Sequence, residues 1–144
     1  MIEHARMERF KRMELAGPGL YSLFNTLTKA HLYFQGRGAL RSMSVSDVLD
    51  NGSIEATFQG VRIKFELLPV FGSDHSPRGR VVCMSCHCTY GTPVQELLGS
   101  FTFGLDGVTD LEADLEGNPT RIDSGAAAIV TFFLDAAFCA NRSI

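Results

Sequence analysis

Residues 54–67 constrain the fold more than any other stretch of this chain. Ile54, Ala56 and Phe58 alternate with Glu55, Thr57 and Gln59, and beyond Gly60 the residues Val61, Ile63, Phe65 and Leu67 alternate with Arg62, Lys64 and Glu66. A period of two places each apolar set on one face of a strand. A two-residue turn at Gln59-Gly60 pairs Phe58 with Val61, Ala56 with Ile63 and Ile54 with Phe65, so apolar meets apolar on the inner face. On the outer face the same register sets Glu55 opposite Lys64 and Thr57 opposite Arg62, and a slip of one residue would bury those charges. The chain therefore holds an antiparallel hairpin with one dry face, and something else in it must cover that face.

Two segments have the pattern of a cover. In residues 126–140, Ala126, Ile129, Val130, Phe132, Phe133, Leu134, Ala137 and Phe138 occupy most of a helical circumference. This predicts a helix buried nearly all round, capped by Asp123 or Ser124, with Thr131, Asp135 and Arg142 as its narrow polar stripe. Near the start, Leu20, Leu23, Phe24, Leu27 and Phe34 share one helical face, which predicts an amphipathic helix over about residues 20–32, stopped by Gly36 and Gly38. Gly17-Pro18-Gly19 is expected to separate it from a weakly periodic peripheral helix over residues 1–16. The string 32–36 matches the core of a viral protease cleavage site used in expression tags. Ala30 stands where that site needs an acid, and the string lies mid-chain, so the match is taken as coincidence.

A run of three cysteines and a histidine, Cys83-Met84-Ser85-Cys86-His87-Cys88, has the letters of a haem attachment or zinc motif. Its setting is that of a strand over residues 80–90, rich in Val, Cys, Thr and Tyr between the Gly/Ser/Asp/Pro cluster at 72–79 and the Gly91-Thr92-Pro93 breaker. Alternation then sends Cys83, Ser85 and His87 to one face and Met84, Cys86, Cys88 and Tyr90 to the other. Cys83 and His87 share a face but lie roughly 13 Å apart at strand rise, too far to bind one ion. Cys86 and Cys88 stand about 6.7 Å apart, at the outer limit for a disulfide. The expectation is of buried, reduced cysteines acting as small hydrophobes, and no metal or cofactor. The alternative is a metal or small-ligand site drawing on Cys83, Cys86, His87 and Cys88, with Tyr90 beside them. Haem would also require export, and no signal-peptide pattern opens the chain.

Further on, residues 97–116 offer a choice of turn. A two-residue turn at Asp106-Gly107 would set Phe103 opposite Asp110 and Phe101 opposite Glu112, burying carboxylates among aromatics. A three-residue loop, Leu105-Asp106-Gly107, with Gly107 left-handed, instead pairs Phe101 with Leu111, Gly99 with Ala113 and Leu97 with Leu115. Asp110, Glu112, Asp114 and Glu116 then form an acidic outer row. The rival for residues 108–116 is a short helix with Thr109 and Glu112 as its capping box and Gly117 as its stop.

Together these elements predict a single α+β domain over residues 1–144, an antiparallel sheet of about five strands packed against a buried C-terminal helix and an N-terminal helix. Its 144 residues, 45% of them hydrophobic, suffice for one core without disulfide staples. Four cysteines without a framework of spacings favour a reducing cytoplasm, and no run of 18 apolar residues suggests a membrane span. The net charge of −3 hides an asymmetry: residues 1–80 carry eleven Lys/Arg against eight Asp/Glu, and residues 81–144 two against eight. An acidic C-terminal half is a poor surface for nucleic acid. At the N-terminus Arg6, Arg9, Lys11 and Arg12 alternate with Glu3, Glu8 and Glu14, the pattern of a solvated helix, and Met1, Met7 and Met13 each offer a start.

An enzyme would need convergent groups, and the candidates Asp74, His75, His87 and Asp135 are scattered without a nucleophile elbow, phosphate loop or metal spacing; His4 and His31 have no signalled partner. The reading leans away from catalysis. It points to a small cytoplasmic protein-binding module, such as an inhibitor or immunity-type protein, whose Asp110, Glu112, Asp114 and Glu116 meet a basic protein surface. Oligomeric state is left open by the sequence.

Overall fold

A computed structural model of the chain describes residues 3–48, 52–113 and 116–140. The order of elements is α1 (His4–Asn25), a 3₁₀ turn (Thr26–Lys29), α2 (Ala30–Gln35), β1 (Ser44–Val48), β2 (Ser53–Phe58), β3 (Val61–Phe71), β4 (Pro77–Thr89), β5 (Thr92–Phe103) and α3 (Ala126–Ala140). The five strands form one open antiparallel sheet in sequence order, and the fold is α+β. All helices lie on one side: α1 packs on β3 and β4, α2 on β1, and α3 on β2, β3 and β5.

The hairpin β2–β3 adopts the register that its alternation requires, Ile54 with Phe65, Ala56 with Ile63 and Phe58 with Val61. Gln59 and Gly60 both take positive φ, 52° and 78°, as a two-residue turn that follows the strand twist demands. Ile54, Ala56, Ile63 and Phe65 are buried with Val81, Cys83, Phe101 and Phe103 on the helix-covered face. Onto it α1 brings Leu20 and Phe24, α2 brings Phe34, and α3 brings Ile129, Val130, Phe133 and Ala137. Pro69, in β3, lies past the end of β2, where β3 is paired with β4 alone and is locally an edge, the setting in which a sheet tolerates proline.

Several expectations are corrected. Gly17-Pro18-Gly19 does not separate two helices: α1 runs unbroken through Pro18. Pro18 is exposed, so the Glu14 carbonyl that loses its helical N–H partner can turn to water. Beyond Asn25 the expected helix narrows to a 3₁₀ turn, where the Thr26 hydroxyl donates to the carbonyls of Leu23 and Ile122 and that of Thr28 to Asn25. The string 32–36 ends a helix with Phe34 buried. Helix α3 is buried on the side that meets the sheet, the 3₁₀ turn and α2; Phe132 and Phe138 are exposed, Phe138 with its ring edge-on to Phe58 at 6.1 Å, because among the described residues these elements leave part of its circumference uncovered. Asp123 does not cap it, since both its oxygens accept from Arg121 at 3.1 Å, and the helix opens at Gly125, whose carbonyl accepts from Ile129 N–H.

The Thr92-Pro93 stretch is not a breaker. The chain reverses at Tyr90-Gly91, and Pro93 enters β5, an edge strand with one side free of ladder bonds. A bulge at Leu98 then shifts the register between Cys83 and Met84, so Leu97 faces outward and is exposed while Leu98 packs on the core. None of the described helices is long and apolar enough to cross a membrane.

Candidate partner-binding site

The acidic segment leaves β5 through the three-residue loop Leu105-Asp106-Gly107. Gly107 has φ +82°, a conformation costly to any residue with a Cβ, and Asp106 Oδ1 accepts from Val108 N–H at 3.0 Å. The expected register begins: Phe103 bridges to Thr109, and Asp110 N–H donates to the Thr102 carbonyl at 3.1 Å. There it stops. The Asp110 carboxylate takes the Thr102 N–H at 2.8 Å and the Thr102 hydroxyl at 3.1 Å, filling with a side chain the edge that a next strand would have paired. Thr109 turns away as well, donating through both N–H and hydroxyl to the Thr120 carbonyl at 2.9 and 2.7 Å.

Residues 108–113 are accordingly neither the expected strand nor the rival helix. They form a loop stapled to 120–123, with Arg121 Nη2 donating to the Asp106 carbonyl at 2.7 Å. Hydrogen bonding and the charge of Arg121 hold the Asp123 carboxyl below the usual carboxylate range. Leu111 turns inward against the core.

Asp110, Glu112 and Glu116 are exposed, and Asp114 lies outside the described residues. Asp110 is the end of a relay in which the Arg78 guanidinium donates to Thr102 Oγ1 at 3.3 and 3.4 Å and Thr102 donates onward. Between this loop and α3 runs a cleft of about 580 Å³ lined by Asp110, Leu111, Glu112, Ala113, Thr120, Ala128, Ile129 and Phe132. Two carboxylates thus stand over an apolar floor, with no Lys or Arg among the described lining residues. Phe132 is the residue that sequence reasoning missed. It belongs to the apolar set that predicts a helix buried nearly all round, and its place at the edge of the polar stripe, about 60° round the helix from Asp135, is the one signal of its exposure.

The cysteine strand divides as its alternation demands. Cys83 is buried on the core face with His87 four residues further along the same face, and Cys86 and Cys88 stand on the opposite face. Burial pushes the Cys83 thiol well above its usual range and that of Cys86 up as well. The expectation that the clustered cysteines are buried holds for Cys83, is met in part by the half-buried Cys86, and is corrected for Cys88, which is exposed because it belongs to hairpin rungs that project past β3; Cys139 on α3 is exposed as well. Among the described residues no group of three His, Cys, Asp or Glu side chains could hold a metal ion. His87 Nδ1 is buried and has no hydrogen-bond partner there. Tyr90 is fully exposed at the hairpin tip.

The structure does not bring the remaining candidates together. Asp74 and His75 occupy the β3–β4 turn, where Asp74 accepts from the Ser76 N–H and hydroxyl, and His87 lies near the far end of β4. Asp135 is exposed on α3, and His31 Nδ1 accepts from Val45 N–H at 3.2 Å, tying α2 to β1. The chain matches no protein-family model, no curated protein and no solved structure.

Proposed function

We propose that the protein is a small protein-binding module, of inhibitor or immunity type, that presents the acidic segment 110–116 to a basic partner. The observation that carries this reading is the pair Asp110 and Glu112 in the cleft beside α3, with no Lys or Arg among its described lining residues. Asp110 also serves the fold by accepting from the Thr102 N–H and hydroxyl, but like charges set close together repel, and folding alone gives no reason to cluster them. Against a cationic surface they steer encounter and raise the association rate, an effect that salt removes.

The test begins with a pull-down from the native host read by mass spectrometry. Asp110, Glu112, Asp114 and Glu116 are then replaced by Asn or Gln, and binding to the captured partner is followed against ionic strength. The native protein is expected to bind a basic protein with an association rate that falls steeply as salt rises, and the variant to lose both rate and salt dependence. Unchanged affinity and unchanged salt dependence in a folded variant would return this segment to ordinary solvated surface.

A further inference from the structure

Phe132 and Phe133 are neighbours on α3 with opposite fates. Phe133 is 2% exposed and Phe132 61%, their rings edge-on at 5.1 Å between centroids. Phe132 lies on the helix face that carries Ala128 and Asp135, one turn before and after it, and both are exposed. Its ring forms one wall of the cleft, Leu111 and Ile129 supply further apolar surface, and Asp110 and Glu112 stand on the wall across from the helix.

A purely cationic ligand would satisfy the carboxylates and leave the ring in water. A purely apolar one would cover the ring and strip water from two carboxylates without replacing it. Both demands are met by one chain segment that sets an apolar side chain beside Lys or Arg. The space is adequate, since about 580 Å³ falls within the range of about 300–1,000 Å³ typical of sites that enclose a small ligand or a few side chains. Aromatic residues at the centre of a desolvated contact carry most of its energy, and rim charges set rate and orientation.

Resting on the acidic-face reading above, we infer that this cleft binds a basic amphipathic segment of a partner protein. An apolar side chain of that segment lies on Phe132 and Leu111, and flanking Lys or Arg side chains meet Asp110, Glu112 and Asp135. Arginine over the exposed face of Phe132 adds a cation–π contact.

The experiment uses the full chain and two synthetic probes of equal charge, an amphipathic Leu/Lys peptide and an oligolysine. Three variants are compared: Phe132→Ser, Ala128→Leu, which fills the cleft from an exposed helix position, and the double variant Glu112→Gln with Asp135→Asn. The Leu/Lys peptide is expected to bind the native chain more tightly than oligolysine. Phe132→Ser and Ala128→Leu should each weaken the Leu/Lys peptide about tenfold or more, as loss of a central aromatic contact does, and leave oligolysine unchanged. The double acidic variant should weaken both probes and flatten their salt dependence. Should Phe132→Ser fail to match the native circular dichroism, Ala128→Leu decides alone. Equal binding of the two peptides, indifferent to both cleft variants, overturns this inference and leaves the acidic-face reading standing. Binding that ignores the acidic variant and the salt, or no binding of either probe, overturns both.

Discussion

Phe133 stands edge-on to Phe65, ring centroids 5.8 Å apart and planes at 82°, and lies stacked with Phe101 at 6.0 Å and 24°. One helix residue thereby joins β3 to β5 across the intervening β4, against the face where Gly99 leaves room for the ring edge: a Cβ there would stand 3.2 Å from Cε1. The helix–sheet contact centres on this ring.

Phe133→Ala should therefore cost about 3–5 kcal/mol, the usual range for deleting a buried phenylalanine, out of the roughly 5–15 kcal/mol that hold a domain together. Urea titration followed by circular dichroism measures it. A loss below about 1 kcal/mol would show that the helix–sheet contact does not depend on this ring.

Pro18 lies inside α1 on an exposed face, where its ring denies a hydrogen bond to the Glu14 carbonyl. Proline is roughly 3 kcal/mol worse than alanine in a helix interior, so Pro18→Ala should stabilise the protein, by up to about that amount, and raise its melting temperature. A lower melting temperature would mean that the proline sets a bend on which the packing of Leu20 and Phe24 depends.

The cysteines should label in an order set by burial. Cys88 and Cys139 are exposed and should react with a thiol reagent in the native protein, whereas Cys83, buried and held as the neutral thiol, should react only on unfolding. Mass spectrometry of the labelled peptides reads the order directly. Native labelling of Cys83 as fast as Cys88 would contradict the placement of β4.

Asp123 gives a pH dependence of known sign. Its folded-state pKa is lowered, chiefly by hydrogen bonding to Arg121, so the stabilisation it provides is present above its unfolded value of about 4 and is lost as pH falls through the lower folded value. Between about pH 5 and pH 2 the native protein should lose more stability than Asp123→Asn, whose side chain does not titrate. The difference should be small, because the Arg121–Asp123 pair is partly exposed and screened by solvent. Parallel stability curves for the two proteins across this window would show that the Arg121–Asp123 pair does not stabilise the fold.

Where packing repeats with the period of the chain, sequence sufficed. The register of β2 with β3, the opposite faces of Cys83 and Cys86 on β4, the helix over 126–140 and its placement against a sheet all follow from which residues share a face at spacings of two or near four, a property of the backbone and its nearest neighbours. The four acids at 110–116 are equally plain in the letters. Tertiary structure decided everything that depends on what lies opposite. Pro18 is tolerated because its face of α1 meets solvent; Leu97 turns outward because a bulge at Leu98 absorbs one residue; the strand expected after Gly107 stops because the Thr102 N–H donates to the Asp110 carboxylate and not to a backbone carbonyl. Phe132 is exposed for the same reason. A helix pattern tells which side chains are apolar, but only the elements that pack on α3, the sheet, the 3₁₀ turn and α2, determine which of them remain uncovered.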